Sequence, residues 1–166
     1  GTESCQVRHV GVVQSGTMIR EYYKNPKETE AFLRYGWGHS GDVGIKDARG
    51  FITVVDRIKD MIVTGGFNVF PAQVESVILE DDAVLECAVV GVPDEKWGEA
   101  VKAVLQVKEG RTVDPEALIA RCRERLGSHC APKSVEIWPE LPHSAVGKLL
   151  RREVRKRFWE GNWRAV

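Results

Sequence analysis

The chain has 166 residues, 43% hydrophobic and 29% charged, which suits a soluble globular protein with one domain or one and a half small ones. Its 24 basic and 24 acidic residues cancel, so net charge gives no case for nucleic acid or an anionic membrane as partner. No apolar run approaches the roughly 20 residues a bilayer span needs, and no secretory leader is recognisable.

Taken in chain order, residues 7–20 read as short strands, with Val7, Val10, Val12 and Val13 among polar residues. Asn25-Pro26-Lys27-Glu28 is a helix start, with Asn as N-cap, Pro at the first helical position and Glu three residues after the cap. That helix should end near Arg34-Tyr35-Gly36. Asp42 to Ile45, the turn Lys46-Asp47-Ala48-Arg49-Gly50 and Phe51 to Val55 form a predicted hairpin. Asp56-Arg57-Ile58-Lys59-Asp60 interrupts it with four charges in five residues. Met61 to Thr64 is a short strand, ended by Gly65-Gly66. Pro71 opens a helix with Val74, Val77 and Ile78 at helical spacing. The apolar run Val84 to Val92 reads as a central strand. Val101, Ala103, Leu105 and Val107 alternate, as in a sheet with one solvated face. Asp114-Pro115 caps a helix whose apolar face is Leu118, Ile119, Cys122 and Leu126. Ser134 to Trp138 is a last strand, and Leu149 to Phe158 a basic terminal helix.

Helices interleaved with antiparallel strands predict an α+β fold: a small mixed or antiparallel sheet with packed helices, preceded by a β-rich piece. The charged break at 56–60 is the candidate boundary. Of the cysteines, Cys5, Cys87, Cys122 and Cys130, none forms a Cys-x-x-Cys pair, and none has a His at ligand spacing. No zinc site or other metal site is expected. Cys87 and Cys122 fit apolar patterns, and no disulfide framework is suggested, so the expected setting is the reducing cytoplasm. From Lys148 to Arg164 there are seven basic residues and two Glu, a local excess that calls for an explanation.

Each candidate site residue has an ordinary reading beside the chemical one. Lys148 ends Pro142-His143-Ser144-Ala145-Val146-Gly147-Lys148, a polar loop that can carry a cation outward. An ammonium about 4 Å from a phosphate or carboxylate is worth about 4 kcal/mol at a surface-like effective dielectric; most surface lysines nevertheless do nothing special. Asp42, in His39-Ser40-Gly41-Asp42, can accept hydrogen bonds from a diol or simply cap a turn. Arg57 can bind a phosphate or sugar, and Lys59 can change partners if the linker bends; both also suit a solvated linker. Gly65-Gly66 admits close approach of a ligand to backbone, or forms a tight turn.

The order of these pieces adds information. Trp37 to Asp42, Asp56 to Asp60, Gly65-Gly66-Phe67-Asn68-Val69-Phe70-Pro71, Val89 to Asp94 and Pro142 to Arg152 together resemble the late motifs of the adenylate-forming superfamily, of acyl-CoA synthetase type. The resemblance runs from about Val12 to about Arg157. It implies that Asp42 binds the ribose hydroxyls of ATP or AMP and that Arg57 contacts the ribose or α-phosphate side. It implies Lys59 as hinge residue, Gly65 and Gly66 as lining for the pantetheine of CoA, Lys133 as a CoA phosphate contact, and Lys148 as the catalytic lysine of adenylation. Ser40 stands where the family usually has Thr, Phe67 where many CoA ligases have Glu, and Gly1 to Gln6 match no motif.

The resemblance further implies three segments: 1–56 as the end of a large N-terminal AMP-binding domain, 57–60 as hinge, and 61–166 as the C-terminal lid. The family's phosphate loop, Mg²⁺ ligands and acyl pocket do not occur in these residues. The expectation is therefore part of an ATP-dependent acid–thiol ligase that converts a carboxylic acid through acyl-AMP to acyl-CoA, inactive by itself and dependent on an N-terminal domain. A non-catalytic module docking on a separate partner domain is the alternative. Nucleic-acid binding through Arg151, Arg152, Arg155, Lys156 and Arg157 is disfavoured, because no regularly spaced stacking aromatics accompany them.

Overall fold

The structure is a computed structural model that describes residues 9–160; Cys5, the Gly1 to Gln6 segment, Val7 and Arg164 lie outside the described residues. The chain divides into two compact units, one ending at Lys59 and one beginning at Asp60.

The first unit contains β1 (His9–Val13), α1 (Pro26–Phe32), β2 (Leu33–Arg34), β3 (Trp37–Lys46) and β4 (Ile52–Arg57). β3 is its spine, pairing antiparallel with β1 and with both β2 and β4. Asn25 caps α1 as its sequence predicts: its side-chain oxygen accepts from the Glu28 N–H at 3.3 Å, and Pro26 opens the helix. The strand expected at 42–45 starts earlier, at Trp37, because Tyr35 and Gly36 take left-handed φ values of 57° and 77° and turn β2 directly into β3. Residues 14–20 are not strand; Ser15 and Thr17 instead bond hydroxyl to hydroxyl at 2.8 Å. The predicted 46–50 turn forms on Asp47, whose Oδ1 accepts from the N–H groups of Arg49 and Phe51, each at 2.9 Å. Val43 faces Asp56 while Gly44 faces Val54. This places a bulge at Val55 and bends the strand end that carries Asp56 and Arg57. Phe51, Ile52 and Val54 remain 63–67% exposed.

The second unit contains β5 (Ile62–Thr64), β6 (Phe67–Val69), α2 (Pro71–Ile78), β7 (Val84–Asp94), β8 (Gly98–Val107), α3 (Pro115–Leu126), β9 (Ser134–Ile137) and α4 (Arg151–Trp159). They build a five-stranded sheet in the order β6-β5-β8-β7, with β9 parallel to β8. The α+β class with a small mixed sheet is what the chain adopts. Asp114 caps α3 by accepting from the Glu116 N–H at 2.9 Å.

Two expectations are corrected here. β7 is not central: among the described residues it pairs only with β8, which is the central strand. Its apolar run reflects burial of both faces rather than position. Nor does β8 have a solvated face. Val101, Ala103 and Leu105 pack with Val74, Ile78, Leu118 and Cys122 under α2 and α3. On the other side Val104, Ala88 and Val90 pack with Trp138, Leu141 and Val154 under α4. Cys87, Cys122 and Cys130 are buried. Among the described residues no helix is long and apolar enough to cross a membrane.

Candidate functional site

Lys148 sits on a tight hairpin. The Ser144 N–H donates to the Lys148 carbonyl at 2.9 Å, and the Lys148 N–H returns to Ser144 Oγ at 3.1 Å. Gly147 turns the chain at φ 73° and donates to the Ser144 carbonyl at 2.9 Å. His143 and Leu149 form an antiparallel bridge, and the Leu150 N–H donates to the Pro142 carbonyl at 2.8 Å. The hairpin therefore takes Leu149 and Leu150 from the helix predicted to include them, and α4 begins at Arg151. Lys148 is exposed, and its ammonium has no hydrogen-bond or ion-pair partner among the described residues. On the rising limb, His143 Nε2 lies 2.9 Å from Glu86 Oε2.

Behind the hairpin lies a part-buried ion pair with a buried carboxylate. Glu75, on α2, is 6% exposed. Its Oε1 accepts from the Val89 N–H at 2.9 Å and from Arg151 Nε at 2.7 Å, while Oε2 accepts from Arg151 Nη2. Sequence reasoning missed Glu75, which lies 76 residues from Arg151. The only available signals were the unexplained basic excess and a Glu on the apolar side of a short helix. Other members of the basic run are also accounted for. Arg155 pairs with Glu99 at 2.8 Å and lies over the Trp159 ring, and Arg157 lies over Trp138.

Asp42 and Arg57 are brought together as cross-strand partners of β3 and β4, with Arg57 Nε 3.4 Å from Asp42 Oδ1. Ser40 serves the backbone: its hydroxyl donates to the Gly11 carbonyl at 3.1 Å and accepts from the Asp42 N–H at 3.2 Å. Lys59 is exposed on the single 3-10 turn Ile58–Asp60.

Gly65 and Gly66 make a two-residue hairpin turn between β5 and β6, with Thr64 opposite Phe67 and φ values of 56° and 83°. The strand β6 went unread in the sequence although Gly-Gly is a hairpin signal. The Gly65 N–H donates to the Trp97 carbonyl at 3.0 Å. A Cβ on Gly65 would lie 2.5 Å from Trp97 Cε3, whereas nothing lies within 4 Å of one on Gly66. Trp97, which sequence reasoning also missed, is thus the wall behind this turn. Phe67 stacks on His129 with ring centroids 4.8 Å apart. Lys133 is exposed; its N–H donates to the Val101 carbonyl at 2.8 Å, and its Nζ lies 3.5 Å from the Ser128 carbonyl.

Burial, and then the Glu75 charge, push the Cys87 thiol well above its ordinary range; burial also raises Cys122. Neither is a usable nucleophile near neutral pH. Glu136 is held below the usual carboxylate range, first by the Trp138 indole N–H and then by Lys102.

Residues 73–148, the stretch from α2 to Lys148, match the family described as AMP-binding enzyme C-terminal domain. These residues belong to that family. A feruloyl-CoA synthase of Amycolatopsis is 46% identical over 147 residues, covering 89% of this chain and 30% of that protein. A medium/long-chain fatty-acid–CoA ligase of Mycobacterium tuberculosis is 48% identical over 160 residues, covering 92% and 28%. Among solved structures, the o-succinylbenzoate CoA synthetase of Bacillus subtilis, in complex with its acyl-adenylate intermediate, superposes with a TM-score of 0.82. It is 35% identical over 91% of this chain and 31% of its own. The chain thus spans about a third or less of the relatives it matches.

Proposed function

We propose that this chain supplies the C-terminal lid and hinge of an AMP-forming acid–CoA ligase. In the complete reaction a carboxylic acid attacks the α-phosphate of ATP, releasing pyrophosphate and leaving acyl-AMP. The thiol of CoA then displaces AMP to give the thioester. Support comes from the kinship of residues 73–148 and from the CoA ligases among the relatives.

The observation that carries the reading is the unpartnered ammonium of Lys148 on a hydrogen-bonded hairpin. A carboxylate approaching a phosphate meets like charge, and a single fixed cation offsets that repulsion by about 4 kcal/mol at 4 Å and an effective dielectric near 20. Asp42 is assigned to the ribose hydroxyls and Arg57 to the ribose or α-phosphate side. Lys59 is assigned to the hinge within 57–60, next to the division at Lys59 and Asp60. Gly65 and Gly66 are assigned to the pantetheine path and Lys133 to the CoA phosphates. The ligands of Mg²⁺ and the acyl pocket are assigned to the N-terminal domain, and on this reading the chain by itself has no ligase activity. The partly uncovered apolar strand Ile52–Val54 is consistent with further protein packed there.

The test is Lys148→Ala in the complete ligase, read by acid-dependent ATP–pyrophosphate exchange. Loss of one preorganised charge costs about 10²–10³ in rate. A change below about threefold overturns the assignment.

A further inference from the structure

We infer that Glu75 is a positioning residue for Lys148, acting through Arg151; the inference rests on the adenylation role proposed for Lys148. Among the described residues of the second unit, Glu75 is the one buried charged side chain. Its carboxylate is fully engaged, by the Val89 N–H of β7 and by two nitrogens of the Arg151 guanidinium. Arg151 is the first residue of α4 and the third after Lys148. The intervening residues are held as well: Leu149 packs against the core under α4, and the Leu150 N–H bonds the Pro142 carbonyl. A continuous path of fixed groups therefore runs from the buried carboxylate to the backbone of Lys148.

Packing of the hairpin itself offers no substitute. From His143 to Lys148 no residue is buried, and Val146 is 88% exposed. The loop's internal hydrogen bonds fix its shape, while its direction depends on its two ends. One end holds the His143–Glu86 contact, 27% and 39% exposed; the other holds the Arg151–Glu75 fork, 29% and 8% exposed, whose carboxylate end is buried. An ion pair with a buried carboxylate is a poor device for stability alone, since apolar residues of equal volume commonly do as well. A two-pronged guanidinium–carboxylate contact does fix orientation as well as distance. An ammonium serving a reacting centre needs that, because a displacement of about 1 Å can cost a hundredfold.

The experiment is a double-mutant cycle in the complete ligase. Glu75→Gln and the milder Arg151→Lys are each placed in the Lys148 and the Lys148→Ala backgrounds. Pyrophosphate exchange and thioester formation from pre-made acyl adenylate are measured separately. Each single variant should lower exchange about 10- to 100-fold and leave the thioester step within about threefold. In the Lys148→Ala background the further loss should be below about twofold, because the effect passes through Lys148. Equal loss in both half-reactions, or the full loss repeated without Lys148, overturns the positioning role. Amide hydrogen exchange on the 166-residue chain reads the same role without activity. Arg151→Lys should speed exchange at Ser144, Gly147 and Lys148 at least about tenfold, with β7 and β8 changed less than about twofold. Unaltered hairpin exchange overturns the inference. A Lys148→Ala ligase with near-normal exchange overturns only the adenylation reading, and the amide data then decide the hairpin role.

Discussion

Gly65 and Gly66 look alike in the sequence and differ in what a methyl group would meet. Both have left-handed φ, so Ala at either position carries backbone strain of about 1–2 kcal/mol. At Gly65 the added carbon also strikes the Trp97 ring, 2.5 Å away, while at Gly66 it enters open space. We expect Gly65→Ala to cost about 2–4 kcal/mol and Gly66→Ala about 1–2 kcal/mol in urea unfolding of the chain. Equal losses would mean that Trp97 swings aside freely. The turn was legible as a Gly-Gly pair. The Trp97 contact was not, because it arises where β8 comes alongside β5, and no local pattern encodes that approach. The cysteines give a second prediction. The Cys87 and Cys122 thiols are raised in the folded state above the ordinary 9.0. Above that pH the unfolded chain releases their protons while the folded chain retains them. Their contribution to stability is thus intact below about pH 9 and declines as pH rises beyond it. Cys87→Ala/Cys122→Ala should be less stable than the parent at pH 7 because of the cavities left, yet show a shallower loss between pH 9 and 10.5 in denaturant titrations. Identical alkaline slopes would contradict this account.

At the scale of elements, periodicity located most strands and helices but misjudged what covers them. The alternation in β8 and the nearly continuous apolar run in β7 read naturally as a one-sided and a central strand. The second covered face comes from α4, whose composition is so basic that only Val154, Phe158 and Trp159 betray an apolar side. Its cations are sorted by their surroundings. Arg155 pairs with Glu99 and lies against the Trp159 ring, with 40% of its side chain exposed; Arg152, 91% exposed, pairs only with its neighbour Glu153 among the described residues. Arg155→Ala should therefore cost about 1–2 kcal/mol, combining a half-buried pair with a cation–π contact. Arg152→Ala should stay within about 0.5 kcal/mol, as exposed substitutions usually do. Thermal unfolding of the two variants side by side decides it, and a larger loss at Arg152 would refute the sorting. Glu75 belongs to the same lesson. A helical Glu among Val74, Val77 and Ile78 looks like an ordinary interface position until the Arg151 fork and the Val89 N–H are seen to close around it.

The whole molecule divides by how much each unit buries. Among the described residues of the first unit Val43 is the only buried hydrophobic side chain, and Phe51, Ile52 and Val54 stay largely in water. A four-stranded sheet with so little covered surface lacks the apolar burial that offsets chain entropy. The second unit places one core on each side of β7 and β8. Because those cores share the same two strands, losing either exposes the back of the other, and the two should melt together. Residues 60–160 produced alone should therefore unfold in a single urea transition. Tryptophan fluorescence, which reports Trp97, Trp138 and Trp159, should coincide with far-UV circular dichroism. Residues 9–59 produced alone should show no cooperative transition. Two separated transitions in the 60–160 fragment would show that α4 and its core form an independent layer. A cooperative 9–59 fragment would show that its sheet needs no further covering, which would remove one support for an additional domain packed against Ile52 and Val54.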